Sequence, residues 1–215
     1  MPAVPGGEGG SVVTQPNEPT DWDALLQEGM GPTQEAFLEL VRNTKHSRKY
    51  CSNVIWGHLQ TPDYVRAMLR LVVDFHGTPN DVEAGVKART ARASLIGQGG
   101  RTYHVVLAQE ALRTNIGGPE VMRAQLARLH DAIDLPGLRL GIIPDRAERH
   151  IYPGHSFGIF DGNRVEVELY GTDPVCTDRK QIDTYEKAFT LLERSAVYGD
   201  EAKALISAEL AALRT

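Results

Sequence analysis

Several features that would assign the 215-residue chain to a class of protein are scarce or missing. It has two cysteines, Cys51 and Cys176, which fit no metal motif and no disulfide framework, so a reducing compartment is expected. It contains no apolar run of membrane-spanning length, and its N-terminus lacks the basic-then-apolar layout of a secretory signal. These absences predict a cytoplasmic protein that does not enter a membrane.

Positive charge is in deficit as well. The chain has 23 Lys and Arg against 28 Asp and Glu, a net charge of -5. Because binding to phosphate backbones needs a clustered basic surface, direct nucleic-acid binding is not expected. Hydrophobic residues make up 41% and charged residues 24%, which is ordinary for a globular protein with one sizeable core.

The first twenty residues differ in composition from the rest. They are rich in Gly, Pro and polar side chains and cannot bury enough apolar surface to offset their ordering entropy. We therefore predict a disordered tail over residues 1–20 and a single effector-like domain over residues 21–215. Trp22, Leu25 and Leu26 suggest a short docking helix where order begins. A tail of this kind after Met1 leads us to expect a complete chain rather than a fragment.

Helix-start signals and periodicity predict an α+β fold. Thr61-Pro62-Asp63 combines an N-cap, a proline at the first helical position and an acid, and residues 78–81 repeat the signal. We expect a helical N-terminal half packed on a small sheet of about four strands and closed by C-terminal helices. Residues 48–55 are expected to be extended or irregular. The predicted helices are 33–44, 61–76, 78–96, 119–135, 178–194 and 200–213, and the predicted strands are 103–107, 138–143, 156–160 and 164–169.

The stretch VIWGHLQTPDY at residues 54–64 holds the leading candidate site. Trp56 and His58 flank Gly57, which permits a close backbone approach. In one interpretation they form a pocket lip, where Trp56 stacks on a planar ligand and His58 supplies an acid/base or ligand nitrogen. In the other, Trp56 packs as a core anchor and His58 is a surface loop residue. Gln60 and Thr61 are explained by turn and capping chemistry.

Two pairs of charged residues in the second half are further candidates. Glu110 and Arg113 follow the first predicted strand, and they either hold a substrate carboxylate or pair with each other as a structural salt bridge. Glu166 and Glu168 lie on one face of a strand because their spacing matches its period of two. That face is either solvated or covered by a helix; covered acids would have raised pKa values and could act as general acid/base groups.

Basic residues and histidines elsewhere carry weaker signals. The helix face with Lys87, Arg89 and Arg92 is expected to be solvated or paired internally with acids. His150 and His155 could ligate a metal with a third donor such as His58, His104 or Glu168. Their spacing fits no standard zinc motif, so no metal is predicted, and no cofactor can be assigned.

A series of short motifs runs from about residue 30 to residue 212. In order and spacing it resembles the uncharacterised C-terminal effector domain of actinobacterial helix-turn-helix regulators of the XRE type. Members of that family begin with a helix-turn-helix unit, whereas only the predicted tail precedes the shared region here. The chain also departs from the family's pattern at Trp56, His58 and Ala93. The matching residues are Leu59-Gln60-Thr61-Pro62 with Tyr64, Arg89 and Arg92, Glu110 with Leu112 and Arg113, Gly117-Gly118, Met122 with Gln125-Leu126, Ile143-Pro144, Phe157 and Glu168.

This resemblance implies an effector domain without its DNA-reading part. We expect it to bind a small molecule or a small protein partner, with a homodimer possible and without direct contact to nucleic acid. The alternative is an enzyme of secondary metabolism that reuses the effector pocket, with His58 and a carboxylate as acid/base groups. The candidate catalytic residues are His58 and Glu168, and the candidate ligand-binding residues are Trp56, Gln60, Glu110, Arg113, His155 and Phe157.

Overall fold

The computed structural model describes residues 29–170 and 174–213, so the predicted tail and the predicted helix near Trp22 lie outside the described residues. Within these ranges the chain forms six α-helices and six strands, which confirms the predicted α+β class. None of these helices is long and apolar enough to cross a membrane. In chain order the elements are α1 Met30–Asn43, β1 His46–Cys51, α2 Pro62–His76, α3 Val82–Ala91, β2 Thr102–Ala108, α4 Pro119–Ala132, β3 Leu138–Ile143, β4 Phe157–Phe160, β5 Arg164–Val167, β6 Val175–Cys176, α5 Arg179–Glu193 and α6 Gly199–Ala212.

The six strands form one mixed sheet in the order β3-β2-β1-β4-β5-β6. Strands β1, β2 and β3 run parallel, and β4, β5 and β6 continue the sheet in antiparallel pairs. The sheet is larger than the four strands expected, because β1 and the two-residue β6 were not predicted as strands. The sequence of β1, HSRKYC, has no apolar run, yet this strand lies between β2 and β4.

Both helix-start signals are real, but the second acts on a different helix. Thr61 caps α2 by accepting a hydrogen bond from the backbone N–H of Tyr64 (3.4 Å), and α2 ends at Gly77 with a φ of 66°. The Asp81 carboxylate instead accepts from the backbone N–H groups of Met30 (2.6 Å) and Gly31 (2.7 Å), at the start of α1. Helix α3 is shorter than predicted, since it ends at Ala91 and a 3-10 turn, Arg92–Leu95, follows.

Each face of the sheet has its own hydrophobic core. On the α4 face, strand side chains such as Cys51, Val105 and Leu140 pack against α4, α6 and the residues around Trp56. On the α5 face, strand side chains such as Tyr50 and Val106 pack against α5. A third, smaller cluster joins α1, α2 and α3. Because side chains alternate along a strand, the position of a polar residue in a strand decides which face it lies on.

Candidate functional site

The connection between β1 and α2, residues 52–61, is referred to here as the Trp-Gly-His loop. Two buried amide side chains hold its backbone. Gln60 Nε2 donates to the carbonyl oxygen of Ile55 (2.7 Å). Gln125 of α4 bonds the loop twice: its Oε1 accepts from Thr61 N (2.7 Å) and its Nε2 donates to Leu59 O (2.9 Å). The loop is therefore anchored both to itself and to α4.

Inside this loop, Trp56 and His58 stack on each other. Their ring centroids are 4.1 Å apart and their planes differ by 11°. The Tyr103 ring contacts both, at centroid distances of 5.3 Å from Trp56 and 5.5 Å from His58. All three residues are buried. Trp56 thus packs as a core residue, and His58 is buried beneath it instead of lying on the loop surface.

His58 is a neutral imidazole in this environment. Burial disfavours its charged form, and the neighbouring charges of Arg92, Lys49 and Arg89 add to the effect, so its pKa lies well below 6.5. Its Nε2 is buried and has no hydrogen-bond partner among the described residues. A ring of this kind can offer or accept a hydrogen bond, but it is not an imidazolium acid near neutral pH.

The two arginines beside His58 are held by neutral oxygens. Arg92 is 4% exposed, and its Nη2 donates to Gln34 Oε1 (2.7 Å) and Gln34 O (3.0 Å). Arg89 donates from Nε to Gln34 Oε1 (2.8 Å) and from Nη1 to Gln60 Oε1 (3.3 Å). No carboxylate of the described residues lies within 4.0 Å of either guanidinium. The prediction of a solvated or acid-paired face is therefore wrong for Arg92.

The carboxylates nearest to this region come from β5 and the residue just after it. Glu166 pairs with Arg164 (2.6 Å), and Glu168 pairs with Lys49 of β1. The Lys49 side chain is 12% exposed and that of Glu168 is 50% exposed. Burial alone would raise the pKa of Glu168, but the Lys49 ammonium, with Arg89 and Arg92 behind it, lowers it. Glu168 is thus a half-exposed, ionised partner of Lys49, and its pKa is lowered instead of raised.

The cations Lys49, Arg89 and Arg92, together with the neutral His58 beside them, form what we call the cationic cluster. It lies on the α4 face, with Trp56 and Gln60 as its neighbours and Glu168 at its edge. Four of the predicted site residues, namely Trp56, His58, Gln60 and Glu168, are therefore in one region of the molecule. The proximity of the loop to Arg92 and Arg89 depends on tertiary contacts and could not be predicted from the sequence.

The other four predicted site residues lie elsewhere. Arg113 is exposed and pairs with Asp145, and only its backbone N–H bonds to Glu110, at the carbonyl oxygen (2.9 Å). His155 Nε2 lies 3.1 Å from the hydroxyl of Tyr185. Phe157 is buried in the core of the α5 face. Within residues 29–170 and 174–213, no three His, Cys, Asp or Glu side chains come together as a metal site.

A second feature, not identified from the sequence, lies on the α5 face. Arg48, His104 and Arg139 are direct register partners on the adjacent parallel strands β1, β2 and β3, so they form one row across the sheet. A cavity of about 600 Å³, which we call the basic groove, lies over this row. Strand register alone brings these residues together. The groove is lined by His46, Ser47, Arg48, Thr102, Tyr103, His104, Gly137, Leu138, Arg139, Ile159, Asp161 and Gly162.

Comparisons with known proteins identify a family but no activity. A search of curated proteins finds no significant match. Among solved structures, TrmBL2, an archaeal chromatin protein described with a novel mode of DNA binding, has a TM-score of 0.40 at 10% identity, over 80% of this chain and 52% of that chain. NucT from Helicobacter pylori has a TM-score of 0.44 at 8% identity, over 85% of this chain and 98% of that chain. Neither likeness is strong enough to support a functional comparison. The family model described as a domain of unknown function, DUF5753, matches residues 34–208, and the chain belongs to this family.

Proposed function

We propose that this domain is a sensor that binds a small anion, or the anionic group of a larger molecule, at the cationic cluster. The observation that carries the proposal is the buried guanidinium of Arg92, which has neutral oxygens and no carboxylate as its partners. The resemblance to effector domains of actinobacterial XRE-type regulators supports a sensing role in the cytoplasm. The net charge of -5 supports a role without direct contact to nucleic acid.

The buried guanidinium of Arg92 carries an energetic cost. Removing a guanidinium from water costs several kcal/mol, roughly, unless an opposite charge and full hydrogen bonding compensate it. Burial, reinforced by the charge of Arg89, lowers the pKa of Arg92. An arginine nevertheless stays protonated near neutral pH because its unperturbed pKa is so high. The site is therefore short of negative charge, which a bound anion supplies.

Hydrogen-bonding capacity at the cluster leads to the same conclusion. Arg92 Nε and His58 Nε2 are both buried without a partner. A neutral imidazole in the right tautomer and a guanidinium N–H are both donors, so an anion that accepts from both would satisfy them. Gly57 lies beside this point, since a β-carbon there would be 3.8 Å from Arg92 Nη1. The loop backbone at Gly57 thus lies close to the guanidinium.

The two titratable candidates support binding more than acid–base catalysis. A general acid or base works best when its pKa is near the operating pH. The pKa of His58 lies well below 6.5, and that of the half-exposed Glu168 is lowered by Lys49. We therefore place the enzyme alternative second, and we assign Trp56 and Gln60 to the walls and support of the anion site.

Thermal unfolding in inorganic phosphate tests this proposal. A ligand that binds only the folded state stabilises it by RT ln(1 + [L]/Kd), so the melting temperature should rise with phosphate at constant ionic strength. Arg92→Gln and His58→Gln should each lose this response. The matched control is Arg146→Gln at an exposed position, which experiences the same general stabilisation that phosphate gives any protein by exclusion.

The quantity to compare is the phosphate-induced shift in melting temperature, among variants that melt cooperatively. Arg92→Gln should fold, because it removes a buried charge that has no carboxylate partner and so breaks no ion pair. A phosphate response of Arg92→Gln and His58→Gln equal to that of Arg146→Gln would refute the anion site. The same panel with sodium acetate distinguishes a preference for carboxylates from one for phosphate.

A further inference from the structure

The basic groove lies on the opposite face of the sheet from the cationic cluster, at the N-terminal ends of the three parallel strands. Its floor is the row Arg48, His104 and Arg139. From α5 and the segment after it, Phe189 and Tyr198 contact the row. The His104 ring meets Phe189 edge-on at 4.9 Å, and the Arg139 guanidinium lies 4.3 Å from the centre of the Tyr198 ring. These aromatic contacts fix the row before any ligand arrives.

Each arginine of the row has a carboxylate partner, but most of its N–H donors remain free. Arg48 Nη2 donates to Glu186 Oε1 (2.7 Å), and Arg139 Nη1 pairs with Glu193. A guanidinium has five N–H donors, so one such bond leaves most of its capacity free. The two arginine side chains are 37% and 56% exposed, which leaves those donors accessible from the groove.

The carboxylates around the groove also have hydrogen-bond partners. Glu186 and Glu193 accept from the arginines, and Arg179 also reaches Glu186 (3.2 Å). The Asp161 carboxylate accepts from the backbone N–H groups of Lys45 (3.0 Å) and His46 (2.7 Å). What the groove offers a ligand is the set of free guanidinium donors on Arg48 and Arg139, and the ligand has to bring acceptors for them.

The row also sets the length of such a ligand. Neighbouring strands are about 4.8 Å apart, so the backbones of β1 and β3 at Arg48 and Arg139 are separated by roughly 10 Å. His104 lies between them, and its Nε2 is 2.9 Å from the Tyr198 hydroxyl. Acceptors at the two ends of one molecule can reach both guanidinium groups. The cavity of about 600 Å³ falls in the size range of small-molecule sites.

We infer that the basic groove is a second binding site, for an extended small molecule with an anionic group at each end, one on Arg48 and the other on Arg139. It is independent of the cationic cluster, which lies on the other face of the sheet and takes a single anion. Planar guanidinium groups suit carboxylates and phosphates alike, because both offer paired oxygens.

Isothermal titration with linear dicarboxylates from malonate to suberate tests this inference. Affinity should pass through a maximum at the chain length that spans both arginines, and propionate should bind at least tenfold more weakly than the best dicarboxylate. Arg48→Gln and Arg139→Gln should each reduce dicarboxylate affinity to the level of the monocarboxylate. Arg146→Gln should bind like the wild type, and the dependence on chain length separates this groove from the cationic cluster, which takes a single anion.

Both groove variants should remain folded, since partly exposed ion pairs contribute little to stability. Circular dichroism and melting temperature verify this before titration. The inference is overturned if no dicarboxylate binds, if affinity is independent of chain length, or if either groove variant binds the best dicarboxylate as tightly as the wild type.

Discussion

The indole of Trp56 covers the imidazole of His58, with ring centroids 4.1 Å apart and an angle of 11° between the planes. This stack makes the tryptophan a built-in reporter of the charge on the histidine, because a protonated imidazole in contact quenches indole fluorescence. The sequence contains two tryptophans, so the variant Trp22→Phe leaves Trp56 as the sole emitter.

In this single-tryptophan protein, we predict no quenching transition near pH 6.5. The folded-state pKa of His58 lies well below 6.5, so the ring stays neutral as the pH falls through that value. The unfolded chain binds a proton there and the folded chain does not, so the stability that His58 contributes is complete above pH 6.5 and is lost as the pH falls below it. A fluorescence titration from pH 8 to 4 measures the midpoint. His58→Gln should abolish the transition, and a midpoint near 6.5 would contradict the buried, neutral state.

A second prediction concerns the cap that Asp81 provides for α1. Its carboxylate accepts from the N–H groups of Met30 and Gly31, about fifty residues earlier in the chain. Replacing it by alanine should lower the free energy of unfolding by about 1–2 kcal/mol, since side-chain caps contribute that much. Asp81→Asn should cost less, because an amide oxygen still accepts. Urea denaturation measures both, with the exposed Asp74→Ala as the control; equal losses in Asp74→Ala and Asp81→Ala would argue against the cap.

Local structure could be predicted from the sequence where a few neighbouring residues determine it. Thr61 and Pro62 start α2, and Gly77 ends it, because capping and backbone geometry depend on adjacent residues alone. Asp81 shows the limit of this reasoning. The residue types fit a helix start, but the carboxylate reaches a different helix that is distant in sequence and adjacent in space.

Tertiary contacts account for what could not be predicted. Strand β1 lacks alternating apolar residues because its polar side chains, such as Lys49 and Arg48, find ion-pair partners on both faces of the sheet. Arg92 belongs to a set of basic residues that is typical of a solvated helix face. Its buried guanidinium nevertheless donates to the side chain of Gln34 in α1. Trp56, His58, Gln60 and Glu168 could be selected by residue type. Their proximity to Arg89 and Arg92 depends on packing between the sheet and the N-terminal helices.

The last prediction addresses the amide that anchors the Trp-Gly-His loop. Gln125 is 0% exposed, and both ends of its amide bond the loop, at Leu59 O and Thr61 N. Gln125→Met preserves the volume but leaves a buried carbonyl and a buried N–H without partners. Each unsatisfied group costs about 1–3 kcal/mol, so the free energy of unfolding should fall by roughly 2–6 kcal/mol.

Gln125→Glu tests the two hydrogen bonds of the amide separately. A carboxylate still accepts from Thr61 N, but it opposes the carbonyl oxygen of Leu59 unless it is protonated and donates. Its destabilisation should therefore be larger at pH 8 than at pH 5, whereas that of Gln125→Met should be the same at both. Urea denaturation at the two pH values measures this, with Gln181→Met at an exposed position as the control. If Gln125→Met unfolds at the wild-type urea concentration, the amide does not anchor the loop, and the position of His58 must have another cause.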